Sequence, residues 1–232
     1  MVRKGGANNI TNSLKQSGNS PMGKIMFIVF IIILIIIIIV IISWAVSAAN
    51  KANKANPVII NDVIDANVAR PAFNVPEVTS GMGQSFSTWI YVKDWNYKFG
   101  QYKWISWKGN PSTDDSSKTS GNIHSPSLWL YPNTNKLNIR FNTYENIVES
   151  ADVGNIPLNS WVHVSVVLIG NSVDVFINGN LKKRQKLRGV PKLNYEDLYI
   201  SNWGGFQGYL SKLRYFNYAV QPFMIDYLFK EG

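Results

Sequence analysis

The sequence contains no cysteine in its 232 residues. Without thiols the chain cannot form disulfide bonds, bind a metal through thiolates or use cysteine as a nucleophile. Because secreted β-domains often carry disulfide bonds, this absence favours a reducing compartment for the folded part of the chain.

Acidic residues are missing from the first 56 positions, which hold six lysine and arginine residues. The remaining residues, 57–232, carry 17 basic and 14 acidic side chains, so they contribute only +3 to the net charge of +9. The basic character therefore belongs mainly to the N-terminal segment and is weak evidence for binding nucleic acid. We expect no nucleic-acid partner.

Histidines and paired carboxylates are also scarce. The two histidines, His124 and His163, show no spacing that predicts a Ser-His-Asp triad. His163 lies opposite a valine face and is predicted to pack and hydrogen-bond across strands. Glu145 and Glu149 stand four positions apart, roughly 13 Å along a strand, which is too wide for the two carboxylates of a glycoside hydrolase. We therefore expect no catalytic residues.

One long apolar run stands out against this composition. Ile25–Ile42 is a stretch of 18 residues without a polar side chain, and with Ser43–Val46 it gives a helix of roughly 33 Å. Lys24 closes one end, and Trp44 lies where an interfacial aromatic belt is expected. We predict a membrane-spanning helix over residues 24–46 that makes this a single-pass membrane protein in contact with the lipid bilayer.

The segments on either side of the run are polar. Residues 1–23 predict a disordered basic tail, and residues 47–58 predict a polar stalk in which Pro57 stops any continuing helix. A cleaved signal peptide ending near Val46-Ser47-Ala48 is the competing interpretation, although its apolar region would be shorter. The basic residues favour a cytosolic N-terminus, whereas the domain lacks glycosylation sequons, so the topology stays open.

After residue 58 the apolar pattern changes to a period of two. Val162–Leu168 and Val173–Ile177 alternate apolar and polar positions, as do the segments around Ile90, Leu128 and Ile139. The dipeptide Asn178-Gly179 is typical of a type I′ hairpin turn because both positions need a positive φ. Only Pro222–Phe229 has a helical pattern. These features predict an antiparallel β-sandwich with one short C-terminal helix.

Three motifs occur in the order typical of one family. Trp161–Val167 leads through a Gly-Asn turn into Val173–Gly179, which resembles the central hairpin of laminin-G/concanavalin A-like domains. Ser85–Tyr91 resembles the early strand of that family, and Gly204–Ala219 resembles its closing strand. The resemblance covers residues 59–232 and implies an all-β, antiparallel concanavalin A-like jelly-roll β-sandwich.

A finer resemblance concerns Pro191–Tyr199, which precedes Gly204-Gly205-Phe206. This segment is most similar to membrane-anchored members of the family from nucleocytoplasmic large DNA viruses. It implies a virion membrane or minor capsid protein that links the bilayer to capsid or other virion proteins. The alternative is a carbohydrate-binding attachment module. A glycoside hydrolase is more remote, because the Glu-x-Asp-x-x-Glu array of such relatives is missing.

Ligand-binding candidates come from the aromatic residues outside the predicted core. Trp203 and Trp107 are predicted to stack on a sugar or a protein partner, and Gln207 completes this candidate set. Burial of the two tryptophans would favour a structural role, whereas exposed coplanar rings around a groove would favour a lectin.

The charged candidates form two groups, a basic run on an exposed strand or loop after the Asn178-Gly179 turn and an acidic pair in an earlier loop. We predict that a basic run contacts phosphate head groups or an acidic partner, while protection of an edge strand is the alternative; the run comprises Lys182, Lys183, Arg184, Lys186 and Arg188. Many laminin-G domains bind one Ca²⁺, and Asp114 and Asp115, in a loop rich in Ser, Gly and Asn, are candidates to supply its oxygen ligands, with a solvated acidic loop as the alternative. No other cofactor is predicted.

The choice between an anchor and a signal peptide is testable by mass spectrometry of the mature chain. Because the apolar run is long enough to span a bilayer, we expect the mature protein to retain residues 1–48. A mature chain that begins at Ala49 would contradict the anchor.

Overall fold

The computed structural model describes residues 21–55, 57–78, 83–109 and 124–232. The chain divides into two compact units, Met1–Ala52 and Asn53–Gly232, which are described separately. Most of the predicted basic tail lies outside the described residues.

The first unit contains most of helix α1, which runs over Pro21–Ala55. Within the described residues it is the one helix whose length and apolar composition suffice to cross a membrane, over Pro21–Asn50, and an N-terminal signal sequence would meet the same criterion. The helix is longer than the predicted span at both ends. Proline suits a first helical turn, and the alanine- and lysine-containing stalk favours continued helix up to Ala55. Much of the predicted polar stalk is therefore helical.

The second unit consists of twelve described strands and two short helical segments. Their bounds are β1 (Val58–Ile60), β2 (Ile64–Asp65), β3 (Gln84–Asp94), β4 (Lys103–Gly109), β5 (His124–Leu130), β6 (Lys136–Phe141), β7 (Glu149–Gly154), β8 (Trp161–Ile169), β9 (Ser172–Ile177), β10 (Asn180–Lys186), β11 (Leu198–Ile200), a 3₁₀ turn (Asn202–Gly204), β12 (Gln207–Phe216) and helix α2 (Pro222–Glu231).

The strands form two antiparallel sheets. The seven-stranded sheet has the order β1-β12-β3-β8-β9-β10, with β2 paired to β12, and the five-stranded sheet has the order β11-β4-β5-β6-β7. The predicted antiparallel sandwich with a C-terminal helix is confirmed.

The period of two decides which side chains enter the core. Val164 and Val166 of β8 belong to the same buried apolar cluster as Leu128, Leu130 and Ile139 of the five-stranded sheet. Because successive strand residues point to opposite faces, the residues between them are directed outward.

Helix α2 covers part of the outer face of the seven-stranded sheet. Its Ile225 and Leu228 are buried together with Val167 of β8 and Phe216 of β12. The Phe229 ring stacks on Trp89 with a centroid distance of 5.7 Å. Contact with α2 explains why Val167 and Phe216, which face outward from this sheet, are apolar.

Backbone geometry explains why glycine occurs at positions 179 and 208. The Asn178-Gly179 turn has positive φ at both residues, 50° and 76°, as the sequence predicts. Gly208 in β12 lies so close to β3 that a Cβ atom there would overlap the carbonyl oxygen of Tyr91. Only glycine permits this approach of the two strands.

We predict that Gly208→Ala lowers the free energy of unfolding more than Gly170→Ala does. Gly170 also has positive φ, 57°, but no atom lies within 4 Å of the position that a Cβ atom would occupy, so its cost is backbone strain alone, about 1 kcal/mol. Thermal unfolding followed by tryptophan fluorescence checks the difference. Equal losses for the two variants would contradict the close approach.

Candidate functional site

A group of aromatic rings, here called the tryptophan cluster, lies on the five-stranded sheet. It consists of three buried tryptophans and three partly buried rings packed against them: Trp104, Trp107, Trp129, Tyr102, Tyr199 and Trp203. Trp129 lies between the core residues Leu128 and Leu130 and therefore points to the opposite, outer face. The ring of Trp104 is 4.6 Å from Trp107 and 5.0 Å from Trp129, centroid to centroid.

The 3₁₀ turn brings Trp203 to this cluster. Trp203 has a positive φ of 50°, and the Nζ of Lys98 donates a hydrogen bond to its carbonyl oxygen. The Tyr97 hydroxyl donates to the next carbonyl, that of Gly204, at 3.0 Å. These two contacts hold the turn against the loop that follows β3.

The two predicted ligand-binding tryptophans therefore meet, but they do not form an open stacking site. Their ring centroids are 5.2 Å apart at an interplanar angle of 68°. Trp107 is only 1% exposed, so its ring has no face available for a ligand, which corrects the expectation for this residue. The physical reason is that Trp107 packs between the rings of Trp104, Trp203 and His124.

The buried indole groups are not fully satisfied. The Nε1 atoms of Trp104, Trp107 and Trp129 are buried and have no hydrogen-bond partner among the described residues. An unpaired buried donor costs about 1–3 kcal/mol. The three buried tryptophans are thus stabilised by ring packing rather than by hydrogen bonds of their indole groups.

A second and exposed aromatic group, here called the aromatic triad, lies on the outer face of the seven-stranded sheet. Tyr91 of β3 is directly paired with Tyr209 of β12 on one side and with Trp161 of β8 on the other. The ring of Tyr91 is 5.6 Å from Trp161 and 5.9 Å from Tyr209. Trp161 and Tyr209 come from strands separated by β3, yet their centroids are only 6.4 Å apart at 32°. These two rings therefore lean together over Tyr91.

The aromatic triad is accessible and has polar neighbours. Trp161 is 38% exposed, and the two tyrosines are half-buried. The exposed Asp65 of β2 is paired with Tyr209 and so shares its face. Gln207, a predicted ligand residue, starts the strand of Tyr209 two positions earlier and accepts a hydrogen bond from Asn67 Nδ2 at 3.3 Å.

Sequence reasoning did not identify the aromatic triad. Each of its members occupies an outward position of a predicted strand, which was the available signal. Alternation alone does not tell whether an outward ring is covered, and Trp89, one step from Tyr91 on the same face, is covered by Phe229 of α2. Strand pairing and the position of α2 distinguish the two cases.

The predicted basic run lies on and just after β10, the outermost strand of its sheet. We call Lys182, Lys183, Arg184, Lys186 and Arg188 the basic edge; all five are exposed. Arg184 donates two hydrogen bonds to the Asp174 carboxylate, at 2.7 and 2.6 Å. No observation identifies a binding partner of the basic edge, so its role stays a prediction.

Two buried polar groups serve the fold. His163 is fully buried, its Nε2 lies 2.8 Å from Ser87 Oγ, and burial lowers its pKa to about 4. Burial alone would raise the pKa of Glu149, but hydrogen bonds from Arg188 N, Thr143 Oγ1 and Gly189 N outweigh it and lower the pKa. The Glu149 carboxylate therefore holds the segment after β10.

Metal binding is untested where it was predicted. Asp114 and Asp115 lie outside the described residues, so Ca²⁺ binding stays a prediction. Within the described ranges no group of three or more histidine, aspartate and glutamate side chains is arranged to hold a metal ion.

Two antiparallel sheets packed face to face, with a helix on one outer face, define a jelly-roll sandwich of the lectin type. Residues 65–225 match a laminin-G-type family model described as the concanavalin A-like lectin/glucanases superfamily, and the chain belongs to this family. The resemblance found in the sequence is confirmed at this level. No curated protein sequence matches the chain.

Solved structures with the same fold include receptor-binding domains of botulinum neurotoxins. The receptor binding domain of botulinum neurotoxin D has 13% identity and a TM-score of 0.53, and the match covers 77% of this chain and 53% of that one. The serotype D ligand binding domain in complex with N-acetylneuraminic acid has 12% identity and a TM-score of 0.52, with 78% and 52% covered. This chain thus spans about half their length, and the likeness shows the fold alone.

We predict that His163 makes the sandwich sensitive to acid. Its pKa in the folded state, about 4, is below the ordinary value of 6.5, so the unfolded chain binds more protons in between. Stability is therefore lost as the pH falls from 6.5 to about 4, by at most about 3 kcal/mol. Urea unfolding across this range should show a shallower pH dependence for His163→Gln. Identical slopes for the variant and the wild type would contradict a neutral buried His163.

Proposed function

We propose that this chain is a single-pass membrane protein whose concanavalin A-like sandwich binds a glycan and catalyses no reaction. The observation that carries this proposal is the aromatic triad of Tyr91, Trp161 and Tyr209. It is an exposed aromatic surface on a sheet face, and clusters of exposed apolar side chains mark interaction sites.

The chemistry of the aromatic triad suits a sugar. A pyranose ring has an apolar C–H face that stacks on an aromatic ring, while its hydroxyl groups need hydrogen-bond partners. The rings of Trp161 and Tyr209 supply the apolar surface. The Asp65 carboxylate, which is paired with Tyr209, supplies acceptors, and the Gln207 amide, two positions before Tyr209 in β12, supplies an acceptor and donors.

The comparisons support a binding role for this fold. The matched neurotoxin domains are receptor-binding or ligand-binding domains, and one of them is in complex with N-acetylneuraminic acid.

Within the described part of the chain, the carboxylate of Glu149 accepts hydrogen bonds from backbone N–H and hydroxyl groups, and that of Asp152 accepts hydrogen bonds from Tyr131 and Asn138. These roles are structural.

A scaffold is the second candidate. The burial of Trp107 favours it, because this tryptophan strengthens the sandwich instead of contacting a ligand. In this role the sandwich would contact capsid or other virion proteins and link them to the membrane. The viral resemblance of Pro191–Tyr199 is the basis for naming such partners.

Glycan binding is tested with the full chain in phosphatidylcholine nanodiscs, which contain no sugar head groups. We expect selective binding on a glycan array and a loss of at least about tenfold for Trp161→Ala, because truncation of an aromatic residue at the centre of a contact removes much of the binding energy. Tyr195→Ala is the matched control, since Tyr195 is 60% exposed and lies outside the aromatic triad.

Other outcomes assign the function differently. Binding that survives in Trp161→Ala but is lost in Trp203→Ala would move the site to the tryptophan cluster. A correctly folded wild-type chain that binds no glycan, with calcium or with a chelator, would leave the scaffold as the better candidate.

A further inference from the structure

The two outermost strands of the seven-stranded sheet differ in chemistry. β1 lies at one end of the strand order and follows α1, and β10 lies at the opposite end and carries the basic edge. Five strand spacings of about 4.8 Å separate them, roughly 24 Å across the sheet. One edge of the sandwich is therefore attached to the apolar helix, and the other edge is cationic.

The positive charge of the basic edge is largely uncompensated. No acidic residue occurs between Asp174 and Glu196, and this interval contains all five cations of the basic edge. Arg184 is paired with Asp174. As far as the chain is described, the side chains of Lys182, Lys183 and Lys186 form no ion pair, whereas Arg188 is attracted to the Glu149 carboxylate.

Protection of the edge does not account for all of this charge. A few lysines suffice to discourage an exposed strand from pairing with another chain. The basic edge continues beyond the end of β10 to Arg188, where the backbone N–H groups of Arg188 and Gly189 are already bound to Glu149. Arg188 therefore has no unpaired strand to protect.

We propose that the basic edge binds the anionic phospholipid surface of the bilayer in which α1 is anchored. This inference rests on the proposed membrane anchorage and is independent of glycan binding. The sandwich would then contact the membrane at two places, through its covalent link at β1 and through the cations at β10.

The covalent link makes weak attraction sufficient. Residues 51–55 continue α1 beyond its apolar segment and rise about 8 Å. Residues 56 and 57 then add at most about 7 Å before β1. The link holds the basic edge at a high effective concentration near the lipid head groups, so the second contact is intramolecular. Lysine and arginine side chains are each attracted to an anionic surface within about one Debye length.

Fluorescence energy transfer in nanodiscs tests the contact with the full chain. Because the chain has no cysteine, Val190→Cys gives a single labelling position on an exposed residue next to the basic edge. The acceptor is a dye on a lipid head group. We expect higher transfer in discs that contain phosphatidylserine than in phosphatidylcholine discs, and the difference should disappear at high salt.

Charge reversal locates the effect. In Lys182→Glu/Lys183→Glu/Lys186→Glu, the ratio of docked to undocked molecules should fall by about tenfold or more. The control Lys93→Glu/Lys136→Glu/Lys230→Glu changes the net charge equally at exposed positions elsewhere and should retain the phosphatidylserine effect. An equal fall in the control would overturn the assignment to the basic edge.

The remaining outcomes separate docking from anchorage. Wild-type chain that stays in the discs at high pH but shows the same transfer with both lipids overturns the docking alone. Chain that is released from the discs at high pH overturns the anchorage, and the docking with it. The lipid and salt comparisons use the wild-type residues of the basic edge, so they decide the proposal even if the charge-reversed chain does not fold.

Discussion

The apolar layer between the two sheets is the constraint on which the rest of this structure depends. Val164 and Val166 point into it from β8, and Leu128 and Leu130 point into it from β5. Each apolar side chain that is turned inward places its neighbours outward, because successive strand residues alternate between faces. The core therefore determines which side chains are directed outward, where a ligand, a helix or a partner can reach them.

The two outer faces are used in different ways. On the five-stranded sheet, the outward tryptophans pack on each other around Trp104 and close the surface. On the seven-stranded sheet, α2 covers Val167 and stacks Phe229 on Trp89, but it leaves Trp161 exposed. Two rings separated by one position along β3, Trp89 and Tyr91, thus have different surroundings. The part of this face that α2 leaves open is the part that carries the aromatic triad.

The most apolar segment and the most basic segment of the chain lie outside the core. Helix α1 exposes an apolar surface that no other described segment covers, and the basic edge lies along the last strand of its sheet. An apolar helix and a largely uncompensated row of cations are both compatible with an anionic membrane surface, the first through burial in the acyl chains and the second through the head groups. The aromatic triad belongs to a different face of the sandwich and offers neutral, stacking chemistry.

Local patterns in the sequence determined the apolar helix, the strands, the Asn178-Gly179 turn and the family, because each depends on residues that are close along the chain. Only the tertiary structure decided the state of Trp107 and Trp161. Trp107 is buried by rings from β4, β5 and the 3₁₀ turn, and Trp161 meets Tyr91 and Tyr209 from β3 and β12. Alternation says only that a side chain points outward. Whether another segment covers it depends on contacts between residues that are far apart in the chain, and those contacts exist only after the sheets have paired and packed.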